Sequence, residues 1–491
     1  MITLRALPPL AILSVMLMAS CANTDGISPR SAMIDDHAVD LGHVIEAALT
    51  DANWPTDGWW SHWNDAQLDE LVAKAVFNNP SLKIALARVD QADELARMAG
   101  ASRYPNVSVS GDFTRTRFAR YASPSPPGGN TVWSNAIGVN LGYELDLWGK
   151  HRSELEGALD NAQAASADAR VVKLTLQTAV ARTYVAFSRS FDERDVAEAT
   201  LARQQNTVDI IERRVKAGLA SPLEVVQART PVSATRASIE EFNRQITLTR
   251  NALAVLIGEG PGAGASLVRP ALRLDVPVAL PATLPANLVA RRPDIAAMRW
   301  RVETSAKVID VARADFYPNI DLIATAGLVS AAFGGFFTLI NNDALVHSFG
   351  AAISLPIFDG GLRKGRYGVA VASYDQAVET YNQTVLAAFR DVADQVTSLQ
   401  SLGRQQIEIE ATVESAQSAY DYAIKGYRAG IADYLSVLST QTELLQAQER
   451  LTIVRAARLD SWAQLMMALG GGVEAGAAES AHKTTRATDV H

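Results

Sequence analysis

The landmarks of this 491-residue chain occur twice, and that repeat limits the folds open to it. Asn79-Pro80-Ser81 recurs as Arg292-Pro293-Asp294, and Tyr104-Pro105-Asn106 as Tyr317-Pro318-Asn319, both at an offset of 213 (293 − 80; 317 − 104). Leu147-Trp148-Gly149 matches Phe358-Asp359-Gly360 at 211, and Lys216-Ala217-Gly218 matches Arg428-Ala429-Gly430 at 212. Leu256-Ile257-Gly258 and Ala468-Leu469-Gly470 close the two copies, again at 212. Length alone suggests two to four ordinary domains; a duplicated unit replaces that expectation. Between the copies, Pro261, Pro270, Pro277, Pro281 and Pro285 exclude regular helix.

Within each copy the hydrophobic period changes in the same order. A helix is expected over about residues 65 to 103, with Leu68, Leu71, Val72, Ala75 and Val76 on one stripe, ended by Tyr104-Pro105. The period then becomes two. From Thr131 to Leu147, Ile137, Val139, Leu141, Tyr143, Leu145 and Leu147 alternate with Gly138, Asn140, Gly142, Glu144 and Asp146. Val107, Val109 and Phe113 start a partner strand, joined through a Pro/Gly turn around Pro124 to Gly129. The second copy repeats the pair in Ile320 to Val329 and in Phe349, Ala351, Ile353, Leu355 and Ile357. Helical periodicity returns over His151 to Lys216 and Arg363 to Arg428, stretches without proline that each extend roughly 100 Å at 1.5 Å per residue. Val385, Phe389, Val392, Val396 and Leu399 space as a coiled-coil seam, and Ala162, Ala164, Ala165, Ala167 and Ala169 allow close helix approach. Each long helix ends at a glycine turn, after which a second helix runs over Leu223 to Leu256 or Tyr434 to Leu469.

The N-terminus adds an address. Arg5 followed by an apolar run to Ala19 reads as a signal peptide, and Leu17-Met18-Ala19-Ser20-Cys21 resembles a bacterial lipobox, with the single cysteine as acylated mature N-terminus. Ala22 after that cysteine favours sorting to the outer membrane, and two or three acyl chains anchor stably. The remainder has no apolar run long enough for a membrane helix, whereas membrane strands give a weaker signal. The net charge of -8 offers no basic footprint for nucleic acid. Seven histidines form no metal-ligand spacing, and no phosphate-binding glycine loop occurs, so no enzyme, metal or other cofactor is expected.

Four membrane strands cannot close a barrel, because every strand edge must be paired inside lipid and the smallest barrels have about eight. Three copies supply twelve. The whole pattern resembles the TolC-like outer-membrane factor family, in its lipoprotein branch that serves resistance-nodulation-division pumps. The similarity runs from Trp59-Trp60-x-x-Trp63-x-Asp65 to Gly470 and is carried by Ala290-Arg291-Arg292-Pro293-Asp294-Ile295, Phe316-Tyr317-Pro318-Asn319, Leu355-Pro356-Ile357-Phe358-Asp359-Gly360-Gly361 and Tyr427-Arg428-Ala429-Gly430-x-x-x-Tyr434-Leu435. The expected fold is mainly α with a transmembrane β-barrel: a homotrimer with twelve strands in the outer membrane and an α-helical periplasmic barrel. The expected division is a signal peptide (1 to 20), a lipidated segment (21 to 64), a first repeat (65 to 258), an equatorial linker (259 to 285), a second repeat (286 to 470) and a flexible tail (471 to 491).

That resemblance implies a passive exit duct for small molecules, in the outer membrane with a long periplasmic extension, working with a periplasmic adaptor and an inner-membrane pump. It places adaptor contacts at the turns Lys216, Ala217, Gly218 and Arg428, Ala429, Gly430, and a periplasmic gate at Glu224, Tyr427, Asp433, Ser436 and Ser439. Ser436 and Ser439 stand where many relatives carry aspartates, leaving Asp433 as the nearby acid. Glu224 reads equally as a helix-start carboxylate favoured by the helix dipole. Arg115, Arg117 and Arg120 are candidates for the outer mouth or simple loop charges, and Glu144 and Asp146 for the lumen. A type I protein secretion duct and a poreless coiled-coil tether remain alternatives.

Overall fold

The computed structural model describes residues 24, 26–34, 58–121, 128–276, 292–332, 336–340 and 342–471. The signal peptide, Cys21, Ala290, Arg291, residues 277 to 285 of the linker and the tail from 472 onward lie outside these. The described helices are α1 (Ala66–Asn78), α2 (Pro80–Ala101), α3 (Lys150–Lys216), α4 (Pro222–Leu256), α5 (Pro293–Ala314), α6 (Leu362–Ala429) and α7 (Tyr434–Ala468). The strands are β1 (Asn106–Arg117), β2 (Thr131–Glu144), β3 (Asn319–Ala332) and β4 (Leu345–Ser354). The chain divides into two compact units, one of residues 1–33, 88–165 and 298–381, the other of 34–87, 166–297 and 382–491.

The first unit holds the sheet. Its strands lie in the order β1-β2-β3-β4, each pair antiparallel, so β1 and β4 have neighbours on one side only. The register opposes Val109 to Val139, Val139 to Ala326 and Ala326 to His347, which fixes two faces. One face carries Val107, Val109, Phe113, Ile137, Val139, Leu141, Leu322, Leu328, Phe349 and Ile353. The other carries Ser108, Ser110, Asp112, Asn140, Glu144, Asp321, Thr325 and Ser348. Val107, Val109, Phe113, Phe349 and Ile353 are all exposed, a solvent-facing apolar surface that a water-soluble sheet does not tolerate.

The strand-to-helix junctions explain several of the repeated motifs. Tyr317 stacks on Trp148 with ring centroids 4.6 Å apart, and Trp148 Nε1 donates to the Pro318 carbonyl at 2.8 Å. Arg363 Nε donates to Asp359 at 2.7 Å, and its Nη2 reaches the Pro356 carbonyl. Pro356 cannot extend the ladder. Strand β4 accordingly ends at Ser354, so Leu355 and Ile357, expected in this strand, lie outside it. β2 also ends early, at Glu144. Asp146 is therefore no strand residue pointing into a lumen: its carboxylate accepts from the backbone N–H groups of His151 (3.1 Å) and Arg152 (2.9 Å) at the start of α3.

The expected helix over residues 65 to 103 is two helices. Pro80 lacks an N–H and sits at the first position of α2, and the Asn79 side chain caps that helix by accepting from Ser81 N at 2.8 Å. The same Asn79 donates through Nδ2 to the Leu256 carbonyl at 2.8 Å, tying the break to the end of α4. Its counterpart Arg292 donates to the Ala468 carbonyl at 3.0 Å, at the end of α7. One joint is thus built twice from different side chains.

The second unit owes its core to the helical seams. Val385, Phe389, Val392, Val396 and Leu399 are buried, as are Ala167 and Ala169 among the close-approach alanines, while Ala162 and Ala164 are buried in the first unit. Each fully buried large apolar side chain contributes about 1.5–3 kcal/mol relative to an exposed one. Trp59 and Trp63, in a 3₁₀ turn (Trp59–Trp63), pack against Trp462 of α7 with ring centroids 5.3 and 5.7 Å away. Asp65, 3% exposed, caps α1 and accepts from the Tyr184 hydroxyl and from Leu272 N, both at 2.8 Å. The linker residues Pro261–Ser266 form a 3₁₀ turn in which Gly264 lies against the Arg250 carbonyl, too close for a Cβ.

Candidate functional site at the helix tips

Helices α3 and α6 end the same way. Gly218 has φ +72° and Gly430 φ +77°, left-handed values that cost other residues about 1–2 kcal/mol. The backbone closes each turn with Leu219 N to Arg214 O (2.8 Å) and Gly218 N to Val215 O (3.0 Å), matched by Ile431 N to Gly426 O (2.9 Å) and Gly430 N to Tyr427 O (3.1 Å). Both are Schellman turns, which satisfy carbonyls the helix leaves over. Lys216, Ala217, Arg428 and Ala429 are exposed at them.

The helices that follow are capped differently. Ser221 and Glu224 form a capping box around Pro222 at the first position of α4: Ser221 Oγ accepts from Leu223 N at 3.2 Å, and Glu224 Oε1 accepts from Ser221 N at 3.0 Å. At α7, Asp433 Oδ1 accepts from Ser436 N at 2.9 Å and Ser436 Oγ at 2.6 Å. The Ser436 hydroxyl and then its backbone N–H hold the Asp433 carboxyl below the usual range. Asp433 is thus occupied as a helix cap, and Ser439, exposed one turn on, faces Glu443 at 3.4 Å.

Glu224 also does something a cap need not do. Its second oxygen, Oε2, accepts from the Tyr427 hydroxyl at 2.9 Å, joining the start of α4 to the end of α6. The two readings of this residue are therefore not exclusive, because one oxygen caps and the other bonds the tyrosine. Tyr427 is 2% exposed, its ring set edge-on to Tyr434 at 6.1 Å among Ile211, Ile424, Val437 and Leu444. Burial, then the bond to Glu224, pushes its phenol up to about 12, so it remains a donor at any physiological pH.

Arg214, which no motif singles out, completes the arrangement. Its guanidinium carbon lies 4.7 Å from the Tyr427 ring centroid, and Nη1 donates to the Tyr427 carbonyl at 2.7 Å. α3, α4 and α6 thus converge on one tyrosine. Sequence reasoning also passed over a repeated apolar pair beside the turns: Leu219 and Leu223 in the first copy, Ile431 and Leu435 in the second, each between 62% and 86% exposed. Their signal was the offset of 212 already used for the glycines. Of the acids and serines expected at a gate, only Glu224 is bonded to Tyr427.

At the sheet, Arg115 and Arg117 share a face with Val107, Val109 and Phe113, not with Ser110 and Asp112. Two-residue periodicity carries them away from the polar face that a lumen-lining role needs.

Comparison with known proteins agrees with this architecture. The chain matches the family described as outer membrane efflux protein over residues 71–259 and again over 284–471. It is 37% identical to the fusaric acid resistance protein FusA of Burkholderia cepacia over 95% of this chain and 88% of that one. To the multidrug resistance outer membrane protein MdtP of Escherichia coli K12 it is 32% identical, over 94% of this chain and 96% of that one. The crystal structure of the outer membrane protein VceC of Vibrio cholerae superposes with a TM-score of 0.80 at 33% identity, covering 86% of this chain and all of VceC. A sheet with an exposed apolar face, a twice-written helix pair and matches over both repeats lead to one assignment: this chain belongs to the outer membrane efflux protein family, as a TolC-like channel protein.

Proposed function

We propose that three copies of this chain close a twelve-stranded barrel and form the exit duct of a tripartite pump, exporting small organic compounds. The observation that carries this reading is the sheet with two open edges: in lipid, unpaired backbone groups cost several kcal/mol each, and β1 of one copy can pair with β4 of the next. The relatives FusA and MdtP, named for fusaric acid and multidrug resistance, support a small-molecule cargo. They do not favour protein secretion or a poreless tether.

In this reading the bond between Tyr427 and Glu224 helps hold the duct shut, and an adaptor that moves the helices breaks it. Leu219, Leu223, Ile431 and Leu435, exposed beside Lys216 and Arg428, suit an adaptor tip that buries apolar surface. Cys21 carries the acyl chains. Supporting this, Ile27 packs on the cluster of Ile309, Phe316 and Tyr367, and Asp375 of α6 accepts from Arg30 N (2.9 Å) and Ser31 N (3.0 Å). The six residues from Cys21 to Ile27 can span about 20 Å, more than the five-residue rise of about 8 Å from Tyr367 back to the start of α6.

Native mass spectrometry of the detergent-extracted protein tests both parts. The expected species is a trimer in which each chain begins at acylated Cys21; a stable monomer refutes the barrel, and a trimer with unmodified cysteine refutes the anchor alone.

A further inference from the structure

The charges of the sheet are sorted by face. Its acids, Asp112, Glu144 and Asp321, lie on the polar face, whereas both arginines lie on the apolar one. Arg115 opposes Trp133 and Arg117 opposes Thr131, at the hairpin end away from α2 and α3. Arg115 places its guanidinium carbon 5.8 Å from the Trp133 ring centroid, and neither arginine forms an ion pair with a described residue. Asp343, in the short turn (Asn342–Ala344) that precedes β4, is three strands across the sheet.

Depth follows from the same register. Trp133 and Tyr143 occupy the apolar face ten residues apart on β2, about 34 Å along a strand at 3.4 Å per residue. A tilt of about 45° reduces this to about 24 Å, the height of the apolar band that aromatic girdles flank in outer-membrane barrels. Trp133 then marks the outer boundary of the hydrocarbon. Arg115 stands level with it, and Arg117 stands one step beyond, where lipid headgroups begin. Their Cα atoms are about 7 Å apart on one face, so two long side chains can converge on a single phosphate.

We propose that Arg115 and Arg117, with Trp133 beside them, bind a phosphate of the phosphorylated glycolipid that forms the outer leaflet of the outer membrane. A guanidinium fork matches phosphate oxygens, and the absence of acids from this face leaves that charge uncompensated by the described sheet. The arrangement sits on the lipid side of the barrel, so it anchors the channel to its surroundings and does not select cargo. This inference rests on the barrel reading above.

The test uses the full-length protein in detergent micelles, with bisphosphorylated lipid A as the probe and native mass spectrometry as the readout. Wild type should retain lipid A at least about tenfold more strongly than the double variant R115Q/R117Q, the loss expected when two charge-assisted contacts go. R115K/R117K should fall between them, and it keeps the test decisive if the glutamine variant fails to assemble. Dephosphorylated lipid A should be retained weakly and equally by all three proteins. Equal retention of bisphosphorylated lipid A by wild type and variants overturns the proposal. An equal loss of phosphatidylglycerol overturns the glycolipid assignment, and displacement of lipid A by millimolar inorganic phosphate assigns the site to free phosphate instead. Bilayer conductance of the same samples separates the two levels. Wild type without channels refutes the barrel, whereas wild-type channels with unchanged lipid retention refute only this inference.

Discussion

Replacing Tyr427 by phenylalanine removes one oxygen and leaves everything else about the residue in place. The ring keeps its burial, its edge contact with Tyr434 and its place under the Arg214 guanidinium; only the 2.9 Å bond to Glu224 Oε2 disappears. Hydrogen bonds to charged groups contribute about 1.5–3 kcal/mol. Glu224 is half-buried and retains its backbone partner Ser221 N, so the lower end applies, about 1.5 kcal/mol or roughly tenfold in an equilibrium. If three chains open together, the closed-to-open ratio falls by about a thousandfold in Tyr427→Phe. Planar-bilayer recordings of open probability measure it. Glu224→Gln should give a smaller effect, because an amide oxygen still accepts, and the double variant should resemble Tyr427→Phe alone, since each change acts through the same bond. An open probability in Tyr427→Phe equal to that of wild type, with trimer assembly intact, refutes the assignment of this contact to closure.

Two other expectations concern stability. Gly218→Ala meets no atom within 4 Å and should cost only the left-handed backbone, about 1–2 kcal/mol, whereas Gly258→Ala must also displace the Asn78 carbonyl 2.8 Å away and should lower the melting temperature further. Thermal unfolding of the two variants ranks them, and equal losses contradict the packing argument. His151, 8% exposed, lies between Glu154 (3.0 Å) and Glu144 (3.1 Å): burial opposes its charge, but the two carboxylates outweigh that and raise its pKa above 6.5. A raised folded-state pKa gives stability that is complete below the unfolded value near 6.5 and is lost as pH rises through the folded one. Wild type should therefore lose more thermal stability between pH 6 and pH 8.5 than His151→Gln does; identical pH profiles refute the contribution.

The fold was legible in the sequence wherever one period ran uninterrupted. The seam of Val385, Phe389, Val392, Val396 and Leu399 is buried as read, and Ile137, Val139 and Leu141 share one face. Errors fell where a side chain competed with the pattern. Asn79 capped the start of α2 and bonded the Leu256 carbonyl, turning one helical stripe into two helices. Asp146 kept the alternation of β2 but was drawn off to cap α3. The candidate site divided in the same way. The glycine turns could be found from the repeat, because they sit at a fixed offset, whereas the pair Glu224 and Tyr427 came only from the resemblance to the TolC-like family. Arg214 could not, since its meaning comes from Tyr427, 213 positions away, and no local pattern records a contact between helix ends. Arg115 and Arg117 needed the register: composition marks them as charges near a turn, and only strand pairing tells which side of the sheet they occupy.

The tyrosine contact also has an arithmetic that the repeat makes visible. Shifted by 212 positions, Tyr427 corresponds to Val215, Glu224 to Ser436 and Arg214 to Gly426. None of these three can reproduce the bonds of its counterpart, and Ser436 is already committed to Asp433. In the trimer proposed above, six helix tips share three such contacts, each joining the two tips of one chain, so latched seams within chains alternate with seams between chains that lack this bond. On that reading the closure releases along every second seam, like an iris whose blades are pinned in pairs, because the two copies of the repeat hold complementary halves of one contact.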